Sequence, residues 1–259
     1  MPVWLALRQR GRRRLGKLLE VCVDDPLGLT EAQAGGADRV ELCAALALGG
    51  LTPTAGLMAV GLMAAGLIAA VRGIRAHAMI RPRSGDFCFS PAETEVMFAD
   101  INAVRAAGLA GVVLGANLPD GRLDFPLLTA LTDHARGLDL TLHRAIDLTP
   151  DPLAAVDQAI ALGFHRILSS GGEKTAVEGI ARLRAMMDHA AGRIVVMPGS
   201  GVSLATLPAL RALPFTEIHA SCAAPIPAAP RALKMGFASG TEKRTDRALV
   251  AALKTALRD

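Results

Sequence analysis

The sequence predicts an α/β chain folded as a single-domain (β/α)8 TIM barrel. Short apolar runs alternate eight times with longer helical stretches. The runs are continuously apolar apart from isolated polar residues near their ends, which is how parallel strands buried on both faces read. The chain has 259 residues, close to the ~250 that eight βα units require. That many units in one domain favour a closed barrel over an open sheet.

The elements follow in order. Leu18–Val23 reads as the first strand, followed by a short helix over Gly28–Gly35 with Thr30 as its cap. Arg39–Cys43 is the second strand, and Thr54–Arg72 a long apolar helix. His77–Arg81 is the third strand. Ser90, Pro91 and Glu93 then form a capping-box start to a helix that reaches Ala107. Gly111–Leu114, Asp139–His143, His165–Leu168, Arg193–Met197 and Thr216–His219 supply the remaining strands. Between them, Asp124 opens a helix to Arg136 and Asp151 with Pro152 one that stops at Gly163. Thr175–Ala190 reads as helical, and Ser203 caps a short helix to Arg211. The amphipathic tail Thr241–Leu257 is expected to cover an outer face or the bottom of the barrel.

Composition narrows the function classes. Hydrophobic residues make up 51% and charged residues 20%, enough for a sizeable core. The net charge is +4, and the excess sits in Arg8, Arg10, Arg12, Arg13, Arg14 and Lys17. Residues 1–17 therefore read as a basic N-terminal extension and 18–259 as the barrel. There is no Tyr, no aromatic series and no zinc-finger spacing, which argues against nucleic acid as a partner. A secretory signal would place the basic residues before the apolar patch, the reverse of the order here. The uncharged 55–71 stretch has βα flanks, so it reads as a buried barrel helix rather than a membrane span. Four widely spaced cysteines with no C-x-x-C fit a reducing cytoplasm.

Barrel active sites lie at the C-terminal strand ends, and the unusual residues collect there. Glu20 and Cys22 share one face of the first strand, Glu41 and Cys43 one face of the second. Cys22 and Cys43 form a soft-metal pair suited to Cu(I), or small buried filler. Arg81, Arg83 and Asp86 follow the third strand; Arg81 is either a fork for an anion or the counter-ion of Glu20 or Glu41. His143 and His219 end strands and are candidates for acid–base work, with Arg144 and Asp147 beside the first. Ser170 and Gly171, with Gly199 and Gly201, lie in loops after the sixth and seventh strands, where such barrels cradle anions.

The motifs Glu-Val-Cys-Val-Asp (20–24), Gly-Gly-Ala-Asp-Arg-Val-Glu-Leu-Cys (35–43), Gly-Gly-Leu-Thr-Pro (49–53), Ile-Arg-Pro-Arg-Ser-Gly-Asp-Phe (80–87), His-Arg-Ala-Ile-Asp (143–147) and Val-Met-Pro-Gly-Ser-Gly-Val (196–202) resemble the CutC family. The resemblance spans roughly residues 18 to 222 in matching order. It implies a (β/α)8 barrel, a cytoplasmic protein of copper homeostasis, and Cu(I) ligands at Cys22 and Cys43. It departs at the Pro- and Ala-rich segment after His219-Ala220-Ser221 and in the repeated Gly-Leu-Met-Ala of 56–59 and 61–64. Beside it stands the enzyme reading, an isomerase, lyase or hydrolase acting on a small anionic or phosphorylated metabolite. Arg81, Arg83, Asp86, Arg144 and the Gly loops would hold the anion there, and His143, Asp147, Glu41 or His219 would move protons. The partners admitted are thus a copper ion or a small anionic ligand, together with a second copy of the chain.

Overall fold

A computed structural model describes residues 16–60 and 74–258. Eight parallel strands form the sheet: β1 (Leu18–Val23), β2 (Arg39–Leu42), β3 (Arg75–Met79), β4 (Gly111–Leu114), β5 (Asp139–Leu142), β6 (Arg166–Ser169), β7 (Val195–Pro198) and β8 (Glu217–Ala220). They pair in sequence order, and β8 returns to pair with β1, opposing Glu20 to His219. Only β7 and β8 adjoin without a shared ladder, so the (β/α)8 barrel is closed but for one seam. A thiol, a carboxylate and an imidazole far apart in sequence are thereby brought to adjacent strands.

Helices follow the strands on the outside: α1 (Pro26–Ala34), α2 (Pro91–Ala106), α3 (Phe125–His134), α4 (Pro152–Ala161), α5 (Ile180–Ala190), α6 (Leu207–Leu210), α7 (Pro230–Lys234) and α8 (Arg247–Ala256). Their starts are chemically marked. Ser90 and Glu93 complete the expected capping box at 3.3 and 2.7 Å. Asp124 and Asp151 accept from the first-turn amides of α3 and α4. The cap of α1 is Asp25, which accepts from Gly28 N at 2.7 Å; Thr30, expected there, lies inside the helix with its hydroxyl on Pro26 O. Thr175 does not open α5. It closes a turn with Glu178, and the helix begins at Ile180. The Ser203 turn likewise precedes a one-turn α6. Of the expected 54–72 helix, residues 55–60 are helical and the rest lies outside the described residues, as does most of the basic extension. No helix among the described residues is long and apolar enough to cross a membrane.

Strand alternation sorts the side chains into two populations. Leu19, Val21, Val40, Leu42, Ala78, Ile80, Val112, Leu114, Ile167 and Ile218 join the helices in one large apolar core. The lumen is different. Glu20, Arg39, His77, Thr141 and Arg166 are buried there, and Cys22, Cys43, Met79 and Val113 form a small separate cluster. Arg39 pairs with Glu20, donates to Glu217 at 2.6 Å and reaches Met197 Sδ on β7 at 3.5 Å. Arg166 donates to Glu217 at 3.2 Å, to Asp139 at 3.0 Å and to Thr141 at 3.1 Å. Gly111 leaves room for this network, since a Cβ there would lie 2.5 Å from Asp139 O and 2.9 Å from His77 Cδ2.

Removing one partner of a buried ion pair strands the other charge. Arg39→Ala should therefore cost about 3–5 kcal/mol in urea unfolding, while Glu217→Gln, at the wetter end of the network, should cost clearly less. Equal losses would place the weight of the network elsewhere.

Candidate functional site

The lumen network ends upward at His219. Its Nδ1 meets Glu20 Oε1 at 2.8 Å, and its Nε2 lies 3.8 Å from Glu41 Oε2. Cys22 Sγ, a Glu41 oxygen and a His219 nitrogen all fall within 4.8 Å of one another. Cys43 is fully buried behind them and donates its thiol to Glu41 Oε2 at 3.4 Å. Each position follows from strand register: Cys22 pairs with Glu41, and Glu20 with His219.

Burial and charge set the protonation states. Burial raises the Glu20 carboxyl, but the Arg39 guanidinium and the His219 hydrogen bond outweigh it and hold Glu20 far below the usual range. Burial opposes a charge on His219, yet Cys22, Glu20 and Glu41 around the ring push its pKa well above the usual value. Burial lifts Glu41 to about 7, with His219 opposing and Glu20 adding to the shift. Burial and Glu41 drive the Cys43 thiol well up. His143 is held neutral, down to about 3, by burial and by Arg81.

Above this floor opens a cavity of about 350 Å³ at the C-terminal strand ends. Cys22, Glu41, Arg81, His143, Arg144, Gly201 and His219 all line it. Arg81 leaves the strand and ties the loops together, donating to Leu48 O, Gly50 O and Gly85 O at 3.1, 3.1 and 2.7 Å. Among the described residues it has no carboxylate partner within 4 Å, neither Glu20 nor Glu41. His143 ends its strand early, caps the turn Arg144–Leu148 and accepts from Ala145 N at 3.1 Å. Gly115 permits that ring position; a Cβ there would sit 2.5 Å from His143 Nδ1.

Other predicted residues are not in the cavity wall. The Asp147 side chain is buried, and it accepts from Ser169 Oγ at 2.6 Å, Ser170 Oγ at 2.9 Å, Gly172 N at 3.0 Å and Arg144 Nε at 2.7 Å. The Ser170–Gly171 loop thus closes on an internal carboxylate, and Gly171 N donates to Ser169 Oγ. Arg83 pairs with Asp86 at 2.8 Å and Glu93 at 2.5 Å. Gly199 packs against Leu168 below the rim, where a Cβ would meet Leu168 Cδ1 at 2.4 Å. Ser200 takes φ +73°, costly for a residue with a side chain, and carries the β7 loop over the mouth. Cys88 and Cys222 lie outside the wall. Sequence reading missed the Glu20–Arg39–Glu217 relay beneath the site. Its signal is present: Arg39, Asp139, Arg166 and Glu217 each open a buried strand with a charge.

Together these features define a (β/α)8 barrel with one thiol–imidazole–carboxylate cluster at the floor of a polar mouth cavity. A family model described as the CutC family matches residues 17–224. A family protein CutC of Rhizobium meliloti (strain 1021) is 54% identical over 241 residues, covering 92% of this chain and 95% of that one. The copper homeostasis protein cutC homolog of Homo sapiens is 42% identical over 207 residues, covering 80% and 73%. The crystal structure of CutC from Streptococcus agalactiae superposes with a TM-score of 0.74 at 30% identity, over 79% of this chain and 98% of that one. The chain belongs to the CutC family. A thiamine phosphate pyrophosphorylase from Pyrococcus furiosus, 15% identical with a TM-score of 0.57, shares the barrel fold alone.

An acid whose folded pKa is raised favours the protonated fold, so stability falls as pH rises through the shifted range. Between the ordinary 4.5 and about 7 the wild type should lose stability through Glu41. Glu41→Gln should match it in acid and melt higher at alkaline pH. Parallel melting curves at both ends would show that Glu41 titrates normally.

Proposed function

We infer that the protein handles copper as its cargo, held as Cu(I) at the barrel floor in the cytoplasm. The supporting observation is the Cys22–Glu41–His219 cluster, with ligand atoms within 4.8 Å. Curated relatives from human and mouse bear the name copper homeostasis protein cutC homolog. The donor set fits: a thiolate and an imidazole suit Cu(I), and the Met79 thioether and Cys43 pack in the same small cluster as Cys22. Cys22 and His219 would be the first pair, and Cys43, tied to Glu41, would be a reserve thiol. Loading His219 displaces its proton, while Glu20 keeps the ring oriented from behind. None of the four cysteines is in a disulfide, in keeping with a reducing compartment.

A second reading is an isomerase, lyase or hydrolase on a small anionic metabolite. It is favoured by the cavity, whose ~350 Å³ lies in the small-molecule range and exceeds what an ion needs. Glu41, near neutrality, and His219 would exchange protons with the bound molecule. Asp147, consumed by its four donor residues, would position the β6 loop.

Anaerobic titration of the reduced protein with Cu(I) against a chromophoric chelator tests the first reading. We expect one tight equivalent, lost in Cys22→Ser, weakened at least about tenfold in His219→Asn and less affected in Cys43→Ser. Undiminished affinity in the Cys22→Ser/Cys43→Ser double variant would sink the copper reading.

A further inference from the structure

Three buried side chains in the cavity wall each keep one polar atom without a partner: Arg81 Nε, His143 Nε2 and Glu41 Oε1. The residues are 5%, 2% and 2% exposed. Orphaned buried donors and acceptors are expensive, and three around one cavity point to a polar occupant.

Their chemistry describes it. Ala145 N donates to His143 Nδ1, so the proton of the neutral ring resides on Nε2, which is a donor. Arg81 spends its other contacts on backbone carbonyls, leaving Nε–H and one positive charge unmatched. Phe87 packs against both, with its ring 4.6 Å from the His143 ring and 4.9 Å from the Arg81 guanidinium. The neighbouring arginines are already paired, Arg83 with Asp86 and Glu93, and Arg144 with Asp147. The wall thus offers two donors and one net charge, and the floor offers an acceptor at Glu41.

We propose that the cavity binds a small monoanionic hydroxycarboxylate, its carboxylate accepting from Arg81 Nε and His143 Nε2 and its hydroxyl donating to Glu41 Oε1. A phosphate dianion would need a second free cation, and the other arginine of the wall, Arg144, is already paired with Asp147. An ammonium group, with three donors, would find a single free carboxylate oxygen, Glu41 Oε1, in the described wall. The three atoms are buried, so the ligand reaches them through small shifts of the wall that keep the Arg81 and His143 hydrogen bonds. The proposal rests on the second reading only in taking the cavity as a ligand site, and needs no turnover.

The test is calorimetric titration of the reduced, chelator-treated full chain with lactate and glycerate, beside propanoate, alanine and inorganic phosphate. Lactate or glycerate should bind saturably, and propanoate about fivefold or more weakly, for want of one hydrogen bond. His143→Asn is the deciding variant. Asparagine keeps an acceptor for Ala145 N and caps turns well, but removes the Nε2 donor. It should melt like wild type and bind about tenfold more weakly. Arg81→Lys should abolish binding, and is judged only where its melting temperature matches wild type. Absence of hydroxycarboxylate binding, equal affinity in His143→Asn, or preference for phosphate or alanine overturns the proposal. Hydroxycarboxylate bound without turnover upholds it and leaves the enzyme reading without support from these ligands; phosphate-ester turnover without hydroxycarboxylate binding overturns it and upholds the enzyme reading.

Discussion

The Glu20 carboxylate, shared between Arg39 below and His219 above, is the interaction on which the interior depends. A charge on a fully buried strand is tolerable only with both oxygens engaged. Arg39 is itself divided between Glu20 and Glu217, and Glu217 between Arg39 and Arg166. The interior therefore holds a chain of alternating signs where most barrels stack branched aliphatics. Its upper end is an imidazole fixed in orientation, biased toward protonation and facing a thiol and a carboxylate. Moving Glu20 would unsettle the ionic layer and the site together.

Two loops at the mouth handle polarity in opposite ways. After β6, serine hydroxyls and glycine amides converge on Asp147, so the fold supplies its own anion and the loop is complete as it stands. After β3, Arg81 joins backbone carbonyls of two loops and finds no carboxylate partner among the described residues. Similar donor-rich sequences thus end in a closed structural knot on one side and an unfinished one on the other. His143 stands between them, kept uncharged by burial and by Arg81.

The barrel was legible because strand period, apolar continuity and helix-start chemistry agreed along the chain. Ser90–Glu93, Asp124 and Asp151 act as read. Thr30 and Thr175 did not, because a better-placed Asp25 and the close packing of Gly179 on Ser170 O set the starts of α1 and α5. Strand parity also put Glu20, Cys22, Glu41 and Cys43 on the lumen side correctly. It could not rank them by access, which is a matter of stagger between strands: β1 pairs Cys22 with Glu41 at the cavity, while Cys43 packs against Cys22 but turns its thiol to Glu41 and stays out of the cavity wall. Nor could spacing reveal that Asp147 was already consumed, since its partners come from a loop two dozen residues away.

The pairing of β8 with β1 has a consequence for how the protein is made. Cys22 and Glu41 belong to the first two strands of the barrel to be synthesised, and His219 to the last. Until that strand is synthesised and closes the long loop onto β1, Glu20 has no imidazole and the mouth has no floor. A truncated or stalled chain would carry the thiol without its partner, and the finished site is a property of the complete barrel.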